Sequence, residues 1–307
     1  FYNGAPKQNW AIYYTVEKLL ARITDVLITI NTEDYHRALN KMNVKEVIKI
    51  NGVGVNLNRF KPVNNQQDKS ILRKKYGYDP KDIILICVAE LNGNKNQEFL
   101  IRCIKELIKI YPTVKLLLCG EGGYKDKYID LINELHLKNS IILMGYRKDV
   151  NKLMQLSDIG VAASIREGLG LSLIEELATG LPIIASTNRG HNDIITSNDI
   201  GFLYLTNDTH DFISNFNNLI QSNYHQYASL RRDYIKKFSI NRVLNTLKPT
   251  YTLEPPKDHT NKEAMPNVSL DLGPQTYFFS KLKGSKGSLR RIRRIVDEET
   301  ANKDGER

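Results

Sequence analysis

An α/β fold, a parallel sheet covered by helices on both faces, is what three features of the sequence predict. Short apolar runs alternate with stretches of helical periodicity from residue 8 onward with little interruption. That β/α alternation calls for parallel strands joined by crossover helices. The chain is also long enough, at 307 residues with 41% hydrophobic content, to bury a sizeable core in one large domain or two smaller ones.

The elements follow in order. DVLITI (25–30) and EVIKI (46–50) are the first strands. Residues 51–80, NGVGVNLNRFKPVNNQQDKSILRKKYGYDP, break the strand pattern with glycine, asparagine and proline and read as a linker. A new series of βα units then starts with IILICVA (83–89). The stretch NQEFLIRCIKELIKIY behind it places Leu100, Cys103, Ile104, Leu107 and Ile108 on one stripe, the spacing of an amphipathic helix. VKLLLCG (114–120), SIILMG (140–145), IGVAAS (159–164) and PIIAS (182–186) complete the strands. Two strands before the linker are too few to cover a doubly wound sheet, and the first residue is Phe1. The first domain is therefore expected to lack its beginning.

Composition narrows the class. No run of eighteen apolar residues exists, and FYNGAPKQNW has no signal-peptide pattern. Three cysteines, Cys87, Cys103 and Cys119, lie inside apolar runs without a C-x-x-C or a nearby histidine, which suits core filling in a reducing compartment. The net charge of +10 asks for an anionic partner or a solvated basic surface. With no zinc-finger spacing, RNP-like aromatics or dense basic helix in the first 250 residues, nucleic acid is set aside in favour of an anionic membrane leaflet. After residue 252 the periodicity stops. The last part has seven bases and no acid between Phe278 and Arg294, with Leu289, Ile292, Ile295 and Val296 as a short apolar stripe. It is expected to be a disordered basic tail, with a membrane-surface helix as the alternative.

The chemistry concentrates in REGLGLSLIEELATGLPIIAS (166–186). Glu167 follows strand IGVAAS, at the carboxyl end where open α/β sheets bind ligands. Gly168 and Gly170 let backbone approach a ligand, and a helix beginning at about Gly170 offers free amides and its positive end to an anion. Glu175 lies about five residues in, roughly 7 Å along the axis. A carboxylate there suits ribose hydroxyls rather than phosphate, while Glu167 can accept from hydroxyls beyond the phosphate. The pair thus brackets a nucleotide-linked sugar; nothing in the spacing brings both carboxyls onto one glycosidic bond, as a hydrolase needs. Further ligand positions follow other strands: Lys95 in AELNGNKNQ, a point charge for a phosphate; Gly120, Gly122 and Gly123 in LLLCGEGG; and Tyr146 and Arg147 in MGYRKD. GEGG is neither the dinucleotide fingerprint nor a P-loop. His191 in NRGHNDII is a candidate base or a polar turn residue, and Trp10, Tyr13 and Tyr14 are a candidate acceptor or lipid surface or core packing.

These stretches, in this order and spacing, resemble the nucleotide-sugar domain of a glycosyltransferase of family 4, with the two-domain GT-B arrangement. The likeness covers about residues 1–250 and is most specific in EGLGLSLIEELATGLPIIAS, GEGG and SDIGVAAS. The opening and NGVGVNLNRF are similar to bacterial exopolysaccharide and capsule members. The resemblance implies a GT-B-like chain with a complete C-terminal Rossmann-like domain: residues 1–60 the remnant of an acceptor-binding domain, 61–80 a linker, 81–252 the donor domain and 253–307 the tail. It further implies that Glu175 binds ribose, Glu167 meets donor-sugar hydroxyls and Lys95 meets the diphosphate. Gly168, Leu169, Gly170 and Leu171 would lie by the phosphates and sugar, Arg147 or its backbone near the base, and Gly190 and His191 near the sugar. Members usually carry an arginine five positions before the lysine; here Glu90 stands there. The implied reaction retains anomeric configuration without metal or other cofactor, and no D-x-D is present. The donor would be a nucleoside diphosphate sugar, uridine-based, and the acceptor a saccharide or lipid-linked saccharide at the cytoplasmic face. A nucleotide-sugar-binding fragment needing a separate acceptor domain is the alternative, and a sugar-phosphate epimerase or phosphorylase the third reading.

Overall fold

The computed structural model describes residues 7–222, 227–247 and 277–279. They fall into two compact units, Phe1–Ile50 with Pro249–Arg307, and Asn51–Lys248. In the first unit, helix α1 (Lys7–Ala21) precedes strand β1 (Val26–Thr29), helix α2 (Thr32–Lys41) and strand β2 (Glu46–Lys49). The two strands run parallel, Val26 opposite Glu46 and Thr29 opposite Lys49. Asn31 starts α2 by accepting from the Asp34 amide at 2.8 Å, and Glu33 and Asp34 complement the positive helix end.

The second unit begins earlier than the boundary at residue 60 expected from sequence. The Val55 amide donates to the Phe238 carbonyl at 2.9 Å and the Val55 carbonyl accepts from the Ile240 amide at 3.2 Å, so residues 51–60 are fastened to this unit's own C-terminal helices. The expected linker 61–80 likewise contains a helix, α3 (Gln66–Lys75). Its pattern was hidden because the side chains it buries are charged. Lys69 and Arg73 both reach Asp158, at 2.8 and 2.5 Å, and Asp158 also accepts from the Ile84 amide at 2.8 Å. Arg73 spends its other donors on the carbonyls of Leu156, Pro80 and Asp82. Burial lowers the Lys69 pKa, and the Asp158 carboxylate opposes that shift.

The βα series runs β3 (Ile83–Val88), α4 (Gln97–Leu107), β4 (Val114–Cys119), α5 (Lys125–Glu134), β5 (Ile141–Gly145), α6 (Val150–Leu156), β6 (Ile159–Ala162), α7 (Leu171–Ala178), β7 (Ile183–Ser186), α8 (Arg189–Ile194) and β8 (Gly201–Tyr204). All six strands are parallel, in the order β5-β4-β3-β6-β7-β8. Strands read from the sequence coincide with β1 to β7; β8, at the edge of the sheet, is not among them. Leu100, Cys103, Ile104 and Leu107 of α4 are buried as the stripe requires. They pack with Phe99, Tyr204 and Phe212, whose rings meet at 5.2 to 6.0 Å between centroids. The cysteines are buried thiols in this core; burial pushes Cys103 and Cys119 up to about 12 and raises Cys87 too.

Helices α9 (Thr209–Gln221), α10 (Ala228–Tyr234) and α11 (Ile240–Leu247) close the unit, with a 3-10 turn at Ile235–Phe238 between the last two. Strand β9 (Tyr277–Phe279) pairs antiparallel with β1, so part of the expected disordered tail is a strand. The rest of that tail, with Leu289 to Val296, and the side chain of Trp10 lie outside the described residues. Tyr13 is half exposed, and Lys18 sits over the Tyr14 ring. Among the described residues no helix is long and apolar enough to cross a membrane.

Asp158→Ala is expected to destabilise the second unit by about 3–5 kcal/mol, because it leaves Lys69 and Arg73 buried without their carboxylate. Urea unfolding checks this: the midpoint should fall with an unchanged slope.

Candidate functional site

Strand order reverses between β3 and β6, so the loops leaving their carboxyl ends diverge and leave a crevice there. The β3–α4 loop carries Lys95 and the β6–α7 loop carries Glu167. The structure brings the two together as an ion pair. They line a narrow crevice with Ser164, Gly170, Ser172 and His191. Two hydrogen bonds join the loops: the Asn94 carbonyl accepts from the Ile165 amide at 2.8 Å, and the Asn94 side-chain amide donates to the Arg166 carbonyl at 3.0 Å. Sequence reasoning passed over Asn94, since an asparagine between glycine and lysine in a polar loop carries no periodic signal.

Helix α7 opens at Gly170, which takes the left-handed conformation (φ +93°) and offers no side-chain acceptor to the first-turn amides. The Leu173 amide donates to the Gly170 carbonyl at 3.1 Å, so the amides of Leu171 and Ser172 are the ones that can meet an anion. A Cβ at Gly170 would also stand 3.2 Å from the His191 ring, so glycine here allows both the turn and the ring's approach. Leu171 is exposed at the helix start, and Glu175, fifth residue of the helix, is half-buried. Leu169 is buried against Gly52, from the segment read as linker, and Gly190 packs on Gly168 and Leu169.

His191 is wholly buried and lies in helix α8 rather than in a polar turn. Its Nδ1 lies 2.7 Å from the Ser186 carbonyl and 2.9 Å from the Asn188 side-chain nitrogen, and its Nε2 is on the Gly170 side. Burial depresses its pKa to about 4, and the ring is neutral at pH 7. Asn188 caps the helix α8 by accepting from the Gly190 and His191 amides and ties it back to the Ser164 carbonyl at 3.0 Å. The position before a helical stretch is where such a cap could have been sought.

The remaining candidates sit on the β4 and β5 side. Gly120 is required by loop crossing: a Cβ there would fall 2.0 Å from the Ala89 carbonyl oxygen. Gly122 approaches Leu91 in the same way. Tyr146 is exposed at the end of β5. The Arg147 guanidinium grips Asp149 at 2.8 and 2.7 Å, and Asp149 also accepts from the Tyr76 hydroxyl; Arg147 holds that carboxyl down to about 2. The Arg147 side chain is thus engaged within its own loop.

Comparison with known proteins bears on this arrangement. The family described as "Glycosyl transferases group 1" matches residues 68–238, over half of the chain. The chain belongs to that family. A Bacillus subtilis protein named as a glycosyltransferase, EpsD, is 43% identical over 213 residues, which cover 69% of this chain and 56% of EpsD. An Escherichia coli UDP-Gal:alpha-D-GlcNAc-diphosphoundecaprenol alpha-1,3-galactosyltransferase is 28% identical, over 66% of this chain and 53% of its own length. The chain thus spans about half the length of the curated relatives it matches. Its fold is that of GT-B glycosyltransferases. The Anabaena protein Alr3699/HepE, solved with UDP-glucose, superimposes with a TM-score of 0.71 at 21% identity, over 80% of this chain and 69% of that one.

One buried carboxyl in this family member escaped the sequence reading. Glu176 of α7 is fully buried and neither carboxyl oxygen has a hydrogen-bond partner. Gly160 of β6 makes its room: a Cβ there would come within 2.2 Å of Oε2. Burial, then the nearby Glu175, raises its pKa well above the ordinary 4.5 and holds it as a neutral acid.

The two perturbed groups predict opposite pH effects. Folded Glu176 binds more protons than unfolded Glu176 above pH 4.5, so its contribution to stability is lost as pH rises through its raised pKa. Folded His191 binds fewer protons between about 4 and 6.5, so stability is lost as pH falls through that window. Urea midpoints across pH should show that Glu176→Gln removes the loss on the alkaline side, whereas His191→Gln removes the loss on the acid side.

Proposed function

We propose that this chain carries the donor site of a retaining, family 4 glycosyltransferase that moves a sugar from a nucleoside diphosphate sugar, uridine-based, to a saccharide or lipid-linked acceptor at the cytoplasmic leaflet in surface polysaccharide synthesis. The single observation that carries the reading is the meeting of Lys95 and Glu167 at the strand-order reversal, beside the open start of α7. An ammonium and free amides suit the diphosphate; a carboxylate suits sugar hydroxyls; Glu175 suits the ribose. Support for a uridine donor and a lipid-linked acceptor comes from the names of the E. coli relative and the Anabaena structure.

In this reading the chain acts by orientation and charge. The Lys95 ammonium and the α7 amides stabilise the diphosphate as the bond to the sugar breaks, and Glu167 fixes the sugar's position. The reading assigns no step to a metal or other cofactor. Glu90, exposed where members usually carry an arginine, favours a second reading in which the chain binds the nucleotide sugar and depends on a separate acceptor domain for turnover.

Calorimetric titration with UDP, UDP-glucose, UDP-N-acetylglucosamine and GDP tests the site. A uridine nucleotide should bind, and Lys95→Ala and Glu175→Ala should each weaken it about tenfold or more, as loss of a hydrogen bond to a charged group does. A folded chain that binds none of these ligands would sink the assignment.

A further inference from the structure

Lys95 and Glu167 cannot both keep their partnership and serve a ligand, and this conflict has a consequence for what the site selects. We infer that the Lys95–Glu167 ion pair makes the site prefer a nucleoside diphosphate that carries a sugar over the bare nucleoside diphosphate. The inference rests on the donor-site reading and deepens it.

The Glu167 side chain is 10% exposed and that of Lys95 26%. A carboxylate so far removed from water is costly to leave without a partner. The backbone that carries it is held in place. Asn94 ties the flanking backbone at Ile165 and Arg166, and the Arg189 Nε donates to the Glu167 carbonyl at 3.2 Å. Nor does His191 supply a compensating charge, since its ring is buried and burial keeps it neutral at pH 7.

A diphosphate entering the crevice takes Lys95 as its counter-ion. Glu167 then loses its cation and faces a new anion, and like charges brought together across a desolvated contact oppose binding. A sugar on the diphosphate changes the balance, because its hydroxyls donate to the carboxylate that Lys95 has left. The bare nucleoside diphosphate meets the same ion pair with nothing to offer Glu167. After transfer the departing product is that bare species, so the same conflict favours its release, a step that limits many transferases.

The test is calorimetric titration of the full chain and of Glu167→Gln and Lys95→Met with UDP and with UDP-glucose; GDP and GDP-mannose replace them if guanosine ligands are the ones bound. Gln keeps the shape of the side chain and removes the charge. Wild type should bind UDP-glucose more tightly than UDP. Glu167→Gln should bind UDP about tenfold more tightly than wild type with no gain for UDP-glucose, because the competing carboxylate is gone. Lys95→Met should weaken both ligands. An unchanged or weaker UDP affinity in folded Glu167→Gln, with wild-type binding intact, overturns the inference and leaves the donor site standing. Wild type that binds no nucleotide removes the donor site and the inference together. Should Glu167→Gln fail to fold, judged by circular dichroism, Glu167→Asp retracts the charge by one methylene and must shift the UDP to UDP-glucose ratio in the same direction.

Discussion

Six parallel strands cannot be joined by hairpins, and that constraint organises the second unit. Each connection has to cross over through a helix, so every strand points the same way and every carboxyl end lies on one edge. Where the order reverses between β3 and β6, two such ends deliver their loops side by side. Lys95 and Glu167, 72 positions apart in the chain, become neighbours for that reason alone. The crevice, the open start of α7 and the buried His191 all follow from the same edge.

Charge inside this sheet is handled in three ways. At the opposite end Asp158 is paired twice over, by Lys69 and Arg73, and further satisfied by a strand amide; the network fastens α3 under the sheet. Glu176 is unpaired, so it is held as a neutral acid in room vacated by Gly160. Lys95 and Glu167 pair with each other at the crevice, where a ligand can divide them. Burial is the common cause, and the difference lies in whether a counter-charge stands within reach.

Much of this was legible in the residues. Apolar runs located β3, β4, β6 and β7 because a strand buried on both faces has to be apolar along its length. The α4 stripe was legible for the same kind of reason. The linker was misread because α3 buries Lys69 and Arg73, and a periodicity written in apolar residues does not register buried cations. Boundary 60 was misplaced because Val55 is held by Phe238 and Ile240, partners far along the chain. Neither Glu176 nor Asn94 carried a signal: one is the second of two adjacent glutamates, the other a polar residue in a polar loop.

The sequence by itself determined the α/β class, the strand-end loops and the residue types that stand in them. Those depend on local pattern: apolar run lengths, glycine at turns, a carboxylate set a fixed distance from a helix start. Tertiary structure alone decided which of those residues meet. It put Lys95 against Glu167, turned Arg147 to Asp149 and buried His191 with its Nδ1 against the Ser186 carbonyl. Pairings of that kind depend on strand order and burial, and neither is encoded in the spacing along the chain.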